Sequence, residues 1–244
     1  MTEPGCSPVD EGAGGGTLSF ERVPAPASPF ADLVALRGHI GDCHRCPLGD
    51  TRTTLVFGVG DGRARLMLIG EAPGRNEDLK GEPFVGAAGA LLDELLESIG
   101  LARQDVYIAN ILKCRPPGNR DPLAGEMSAC TPFLTEQVRL IAPEVIATLG
   151  NFSTRFVLGT TRPISALRGR LFHVADLRVV PIFHPAAALY DRSKRDVLFD
   201  DFRRLRAVLD GAGRRSGPAP EGPRNGPGDR PVTGHGGSMQ PPLF

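Results

Sequence analysis

The sequence predicts an α/β fold with three layers, in which helices cover both faces of a mostly parallel central sheet. Short apolar runs typical of buried strands alternate along the chain with longer segments whose apolar residues have helical spacing. This alternation favours parallel strands joined by crossover helices. In addition, polar residues directly follow three of the apolar runs, at the strand ends where open α/β sheets bind their ligands.

The predicted elements lie between residues 31 and 210, which we expect to form one domain. A short helix at 31–40 leads into a cysteine loop, and the apolar run 65–69 is the first strand. The segment 86–99 is a helix, because its leucines recur at helical spacing and Gly100 follows it. In chain order, the remaining elements are a strand at 106–112, a helix at 126–141, a strand at 145–149, a helix at 152–158, strands at 171–174 and 179–183, and a helix at 196–209.

Both ends of the chain have a different composition. Residues 1–30 are rich in Gly, Pro, Ser and Ala, and residues 211–244 contain 9 Gly and 7 Pro, so both segments are expected to be disordered. No apolar run is long enough to span a membrane and the N-terminus lacks the pattern of a signal peptide, which predicts a cytoplasmic protein. The net charge of +0 neither indicates nor excludes nucleic-acid binding.

The polar residues at the predicted strand ends are Glu71, Asn110 and His184. Glu71 lies in the loop Gly70-Glu71-Ala72-Pro73-Gly74, where glycines allow a ligand to approach the main chain. Phe84 lies in a second loop that proline and glycines constrain, where an aromatic ring can stack on a planar ligand. Each residue also has a structural interpretation: Glu71 as a capping or ion-paired acid, Asn110 and His184 as satisfied buried groups, and Phe84 as a core residue.

Together these residues offer an acid, an amide with a donor and an acceptor, an aromatic surface and a donor to developing negative charge. This combination suits the excision of a nucleobase that has been flipped out of DNA. A nucleotide-binding P-loop is disfavoured, because the glycine-rich loop lacks a Gly-Lys-Ser/Thr ending.

Four of the five cysteines form the pattern C-x2-C-x67-C-x15-C, made by Cys43, Cys46, Cys114 and Cys130. A close pair with two distant thiols can surround one metal centre. An iron–sulfur cluster and structural zinc both suit four thiolates, and the long gap before Cys114 is unlike a zinc ribbon. Separate buried thiols are the alternative for Cys114 and Cys130. Cys6, in the N-terminal segment, is expected to be a free thiol.

From about residue 40 to 210 the chain resembles the family 4 uracil-DNA glycosylases, the iron–sulfur-containing type. The resemblance is carried by the 70–74 loop, Glu77-Asp78, Gly81-Glu82-Pro83-Phe84-Val85-Gly86, the segment from Asn110 to Pro117, His184-Pro185 and the four cysteine positions. Family 5 enzymes have an alanine-containing loop without the glutamate, so Glu71 favours family 4.

The resemblance implies a specific function, the release of uracil from DNA with an abasic site left behind. Catalysis would fall to Glu71, which positions the attacking water, and to His184, which stabilises the uracil anion. The uracil-binding residues would be Gly70, Ala72, Glu77, Phe84, Asn110 and His184. Among these, Phe84 would stack on the base, Asn110 would bond to O4 and N3–H, and Glu77 would lie near C5. The four cysteines would hold a [4Fe–4S] cluster.

Two further segments are expected to contact partners. After His184-Pro185 the chain departs from the common family pattern, and Leu189 or Tyr190 is predicted to wedge into the duplex, with Arg192 contacting phosphate. The final peptide 240–244 resembles the Gln-x-x-Leu-Phe peptides that dock on bacterial sliding clamps, through Gln240, Leu243 and Phe244. The protein is expected to act as a nucleoid-associated monomer on single- or double-stranded DNA.

Two other functions remain open from the sequence. One is a noncatalytic DNA- or lesion-binding module that keeps the pocket and the cluster. The other is a zinc-stabilised nucleotide-binding protein. Neither strand preference nor activity on other damaged bases follows from the sequence.

Overall fold

The computed structural model describes residues 28–212. The described residues exclude Cys6, the peptide 240–244 and nearly all of the two terminal segments that were predicted to be disordered.

Within residues 28–212 there are six strands and nine α-helices. The strands are β1 (Val59–Gly60), β2 (Leu66–Gly70), β3 (Tyr107–Asn110), β4 (Val145–Leu149), β5 (Phe172–Val174) and β6 (Leu177–Ile182). The helices are α1 (Leu33–Ile40), α2 (Leu48–Thr51), α3 (Arg75–Lys80), α4 (Ala87–Glu97), α5 (Ala124–Ile141), α6 (Asn151–Leu158), α7 (Ile164–Leu167), α8 (Ala187–Tyr190) and α9 (Ser193–Gly211).

The strands form one sheet in the order β1-β3-β2-β4-β6-β5. The four central strands are parallel, whereas β1 and β5 pair antiparallel with their neighbours at the edges. The prediction of a mostly parallel sheet is therefore confirmed. The register pairs Gly70 at the end of β2 with Asn110 at the end of β3, so two residues from distant parts of the sequence lie side by side.

Helices cover both faces of the sheet, as the predicted three-layer architecture requires. Successive residues of β2 point to opposite faces. Leu66 and Leu68 pack in a core with leucines of α4 and α9. Met67 and Ile69 pack on the other face, in a core with residues of α5 and α6. A third core joins α1, the cysteine loop and α5 near the end of β3.

The short elements were not predicted. They are β1, α2, α3, α7 and α8, none longer than six residues. In α3 the only large apolar residue is Leu79, and it is exposed, so the helix has no apolar period to detect. Its position is fixed instead by the buried Asp78, which accepts hydrogen bonds from the main-chain N–H groups of Thr53, at 2.9 Å, and Thr54, at 3.4 Å.

The longer elements lie where they were predicted, with ends that differ by a few residues. For example, β3 ends at Asn110 rather than at residue 112, although the N–H groups of Ile111 and Leu112 still donate to the carbonyls of Gly70 and Glu71. In the part of the chain that the structure describes, no helix combines the length and apolar character needed to cross a membrane.

Candidate active site

A cavity of about 340 Å³ opens at the carboxyl ends of the parallel strands. This is the edge where the sequence predicted that distant polar residues would meet. Of the residues predicted for the site, the cavity is lined by Glu71, Ala72, Glu77, Phe84, Asn110 and His184. The structure therefore brings together the acid, the amide, the aromatic ring and the imidazole.

Asn110 presents its side chain from the end of β3 and is only 3% exposed. No residue in the range 28–212 hydrogen-bonds to its side-chain amide, so the donor and the acceptor are both available to a ligand. Gly70 lies beside it without lining the cavity. A Cβ atom at Gly70 would overlap Asn110 Oδ1 and lie 2.9 Å from Phe84 Cζ. Glycine is therefore needed here so that both side chains can reach the cavity.

Phe84 is buried in the wall of the cavity, in a loop that is fixed from two sides. Its backbone has a positive φ of 55°, and its carbonyl accepts a hydrogen bond from the Arg103 guanidinium. Glu77 accepts through Oε1 from the N–H groups of Val85, at 3.0 Å, and Gly86, at 3.2 Å. Glu77 thus holds the loop that carries the aromatic ring, a contribution that the sequence did not indicate.

His184 lies two residues after the end of β6, and its ring stacks on that of Phe84, with centroids 5.4 Å apart and 24° between the planes. The Ala186 N–H donates to Nδ1 at 3.2 Å. Burial lowers the pKa of His184 to about 4, although the negative charge of Glu77 acts in the opposite direction. The imidazole is therefore neutral at physiological pH, and with Nδ1 acting as acceptor the proton is on Nε2.

Glu71 is half-buried just beyond β2. Its pKa is raised above the usual range, first by burial and second by the negative charge of Asp121. A carboxylate that is desolvated in this way is a better proton acceptor than one in water. It can serve as a general base toward a water molecule in the cavity.

The loop after the third cysteine contributes cavity residues that the sequence analysis did not single out, Asn119 and Arg120. Arg115 Nε donates to Asn119 Oδ1 at 2.8 Å. Arg120 makes a two-pronged ion pair with the buried carboxylate of Glu126, with contacts of 2.5 and 2.9 Å. In the sequence, Asn119 and Arg120 are only a polar pair in a Pro/Gly-rich loop. Ordinary surface turns have the same pattern, so it did not indicate a functional site.

All four predicted cysteine ligands line a second, small cavity, together with Lys113 and Phe133. Cys114 and Cys130 are buried, whereas Cys43 and Cys46 are half-buried. Donors approach three of the sulfur atoms: Arg45 Nη1 lies 3.5 Å from Cys43, Arg52 Nη1 lies 3.6 Å from Cys114, and the Lys113 N–H lies 3.3 Å from Cys130. Among residues 28–212, no group of three or more Cys, His, Asp or Glu is arranged to hold a metal ion.

Comparison with known proteins identifies the family. The sequence model of the uracil DNA glycosylase superfamily matches residues 57–207. A type-4 uracil-DNA glycosylase from Archaeoglobus fulgidus is 47% identical over 176 residues, which are 68% of this chain and 87% of the relative. Similar enzymes of the same description from Saccharolobus solfataricus and Thermotoga maritima are 44% and 41% identical over 73% and 68% of this chain, and over 86% and 89% of their own lengths.

The chain belongs to the type-4 uracil-DNA glycosylases. The resemblance inferred from the motifs is thereby confirmed, together with the fold class. The superfamily match spans all the residues that line the cavity, from Glu71 to Ala186, and includes Cys114 and Cys130, but it begins after Cys43 and Cys46.

All three predicted DNA contacts of this glycosylase lie in the described structure, unlike the three predicted clamp contacts. Leu189 and Tyr190 end α8, which begins two residues after Pro185, and they are 49% and 92% exposed. Arg192 is also exposed. Ala186 lines the cavity, so this segment runs from the site to the surface. Gln240, Leu243 and Phe244 lie outside the described residues.

Proposed function

We propose that this protein hydrolyses the N-glycosidic bond of deoxyuridine in DNA, releasing uracil and leaving an abasic site for repair. The observation that carries the proposal is the convergence of Glu71, Phe84, Asn110 and His184 on one cavity. Relatives that align with most of the length of this chain are described as type-4 uracil-DNA glycosylases. Since DNA is the substrate, the site of action would be the cytoplasm at the nucleoid.

Base recognition would take place on a uracil rotated out of the helix. The ring would stack on Phe84, and the Asn110 amide would donate to O4 and accept from N3–H. Cytosine presents the opposite polarity at these two positions, so a fixed amide rejects it. Glu77, held by the N–H groups of Val85 and Gly86, would crowd the methyl group that distinguishes thymine. Gly70 and Ala72 would let the base approach the main chain closely.

Bond cleavage would use two titratable groups of the cavity, Glu71 and His184. The glycosidic bond breaks with its electron pair on uracil, which leaves as an anion from an oxocarbenium-like sugar. The neutral His184 would donate through Nε2–H to that anion. Glu71 would position a water molecule for attack at C1′ and accept its proton, and its negative charge would offset the positive charge of the sugar.

We propose a [4Fe–4S] cluster as the group held by Cys43, Cys46, Cys114 and Cys130. Four thiols that line one cavity suit such a cluster, and the 67-residue gap between Cys46 and Cys114 is unlike the spacing of a zinc ribbon. The cluster would supply structural cross-linking of the loop 43–46 to β3 and α5, and no electron transfer is needed for hydrolysis.

DNA binding would involve the surface that continues from the cavity. Leu189 or Tyr190 would fill the space left by the flipped base, and Arg192 would contact phosphate. We expect a monomer that acts on single- or double-stranded DNA. A further proposed partner is the sliding clamp, bound by Gln240, Leu243 and Phe244. Deletion of 240–244 should abolish capture of the protein on immobilised clamp without changing excision, and unchanged capture would contradict this contact.

The domain boundaries are part of the same proposal. Residues 31–210 would form the catalytic domain, and the segments 1–30 and 211–244 would be disordered, the second serving as a flexible tether for the peptide. A noncatalytic DNA-binding module would need neither Glu71 nor His184 in the cavity, and no observation favours it.

The function can be tested on labelled single strands that differ at one base. Purified protein is incubated with strands containing uracil, cytosine or thymine, and the products are treated with alkali to cleave abasic sites. We expect cleavage of the uracil strand alone. Absence of cleavage of that strand would refute the glycosylase function. A brown colour and visible absorbance of the purified protein would separately support the iron–sulfur cluster, and a colourless protein that retains zinc would contradict it.

A further inference from the structure

Lys113 is among the largest fully buried side chains of residues 28–212, with 1% exposure, and the steps of base excision proposed above do not use it. It lies between Asn110, the proposed reader of the base, and Cys114. Its ammonium group donates to the main-chain carbonyl of Asn110 at 2.8 Å and to Gln137 Oε1 at 2.6 Å. The lysine therefore joins the end of β3 to helix α5.

Gln137 is itself held in place. It is fully buried, and its Nε2 donates to the Phe57 carbonyl at 2.8 Å and to the Tyr107 hydroxyl at 3.2 Å. The main-chain N–H of Lys113 also donates to Cys130 Sγ at 3.3 Å. Lys113 is thus held by three hydrogen bonds: to the Asn110 carbonyl at the end of β3, to Gln137 on α5 and to the Cys130 sulfur.

A buried cation is unfavourable unless it is paired and hydrogen-bonded, and an apolar side chain of similar length would avoid the desolvation penalty. Packing alone therefore does not explain a lysine here. What lysine adds is a donor to the Asn110 carbonyl, so that this peptide group is held on both sides. Its carbonyl accepts from Lys113 at 2.8 Å, and its N–H, which belongs to Ile111, donates to the Gly70 carbonyl at 3.0 Å. The plane of that peptide group sets the direction from which the Asn110 side chain leaves the backbone.

We propose that Lys113 is a positioning residue that holds the Asn110 amide in the orientation needed to distinguish uracil from cytosine. This inference rests on the proposed function and adds to it a residue that acts on base recognition and not on bond cleavage. Binding sites of this kind need their contacting groups held within about 0.5 Å of the productive geometry. Loss of the lysine would let the amide reorient, which would weaken uracil binding through Asn110.

A double-mutant cycle tests this, using Lys113→Met and Asn110→Ala singly and together. The readout is the Kd for a strand with one uncleavable 2′-fluorinated deoxyuridine, relative to the same strand with cytosine. We expect Lys113→Met to weaken the preference for uracil about tenfold in the wild-type background and less than about twofold in the Asn110→Ala background. In cleavage assays KM should rise more than kcat falls. Equal losses in the two backgrounds would overturn the proposal.

Thermal unfolding and the visible absorbance of the cluster establish whether each variant is folded and loaded. If Lys113→Met does not fold, Gln137→Met, which removes one acceptor of the ammonium, is placed in the same cycle and judged by the same criterion. Tyr107→Phe is the matched control, because it removes one hydrogen bond of Gln137 and none of Lys113 or Asn110, and its uracil preference should be unchanged. A wild-type protein that neither binds nor cleaves the uracil strand would contradict the proposed function, whereas a functional wild type with equal losses contradicts only the role of Lys113.

Discussion

The main-chain N–H of Ala186 donates to Nδ1 of His184 at 3.2 Å. This bond holds the proton of a neutral imidazole on Nε2, the nitrogen that is then free to donate into the cavity. A donor that is already neutral and oriented before the substrate binds needs little reorganisation when negative charge develops on the leaving base.

The lowered pKa of His184 predicts a pH dependence of stability. Below pH 6.5 the unfolded chain binds a proton at this residue, but the folded protein does not until about pH 4. The free energy of unfolding should therefore decrease as the pH falls through this window, by about 3 kcal/mol from this group. Urea unfolding of the wild type and of His184→Gln at pH 7 and pH 4.5 measures the difference. Equal pH dependence in the two proteins would show that the folded imidazole is not kept neutral.

A second prediction concerns the neighbour of Glu71. Asp121 raises the pKa of Glu71 through its negative charge, in addition to the larger effect of burial. Because Glu71 must be ionised to act on water, the acid limb of the kcat profile should lie above the usual range for a glutamate. Asp121→Asn should move that limb to lower pH, since it removes one of the two causes. The pH profile of single-turnover excision measures this shift. If the acid limb stays in place in Asp121→Asn, Asp121 does not contribute to the pKa of Glu71.

Gly70 offers a steric test of the site. Gly70→Ala would place a methyl group against Asn110 Oδ1 and Phe84 Cζ, so we expect at least about a tenfold loss of uracil affinity and about 1–3 kcal/mol of destabilisation. Gly38→Ala in α1 is the matched control. Beyond its chain neighbours and the backbone of its own helix, no atom lies within 4 Å of its added Cβ, and alanine is favoured over glycine in a helix interior by about 0.5–1 kcal/mol. Wild-type activity in Gly70→Ala would contradict the close approach of Asn110 and Phe84 to this position.

The exposed end of α8 predicts a difference between DNA forms. A side chain that fills the gap left by a flipped base matters in a duplex, where the opposite strand must stay stacked. We expect Tyr190→Ala, which removes a ring that is 92% exposed, to lose about tenfold activity on duplex DNA with little change on single strands. Leu189→Ala, from a half-exposed position, should have a smaller effect. Equal losses on both forms of DNA would argue against a wedge at Tyr190.

Much of the fold could be predicted from the sequence because the central strands are continuous apolar runs. The same runs located Glu71, Asn110 and His184, since each residue lies one or two positions after an apolar run. The helix α3 and the strand β1 were missed because the first is almost entirely polar and the second has only two residues. Local sequence patterns do not indicate which distant residues will contact each other in the fold.

Buried polar groups were the least predictable part of the site. A lysine in sequence normally indicates the surface. The burial of Lys113 depends on Gln137, which is 24 residues away and comes from another layer of the fold. Likewise, Glu77 was assigned to the base from a motif, and only the structure shows that it also holds the Phe84 loop through Val85 and Gly86.

The most direct measurement is the release of free uracil from a uracil-containing strand under single-turnover conditions, by wild type and by Glu71→Ala. We expect the wild type to release uracil and leave an abasic site. The variant should bind the strand comparably and release uracil about 10²–10⁴-fold more slowly. A wild type that releases no uracil, or a variant that releases it at the wild-type rate, would contradict the assignment of Glu71 and its cavity to base excision.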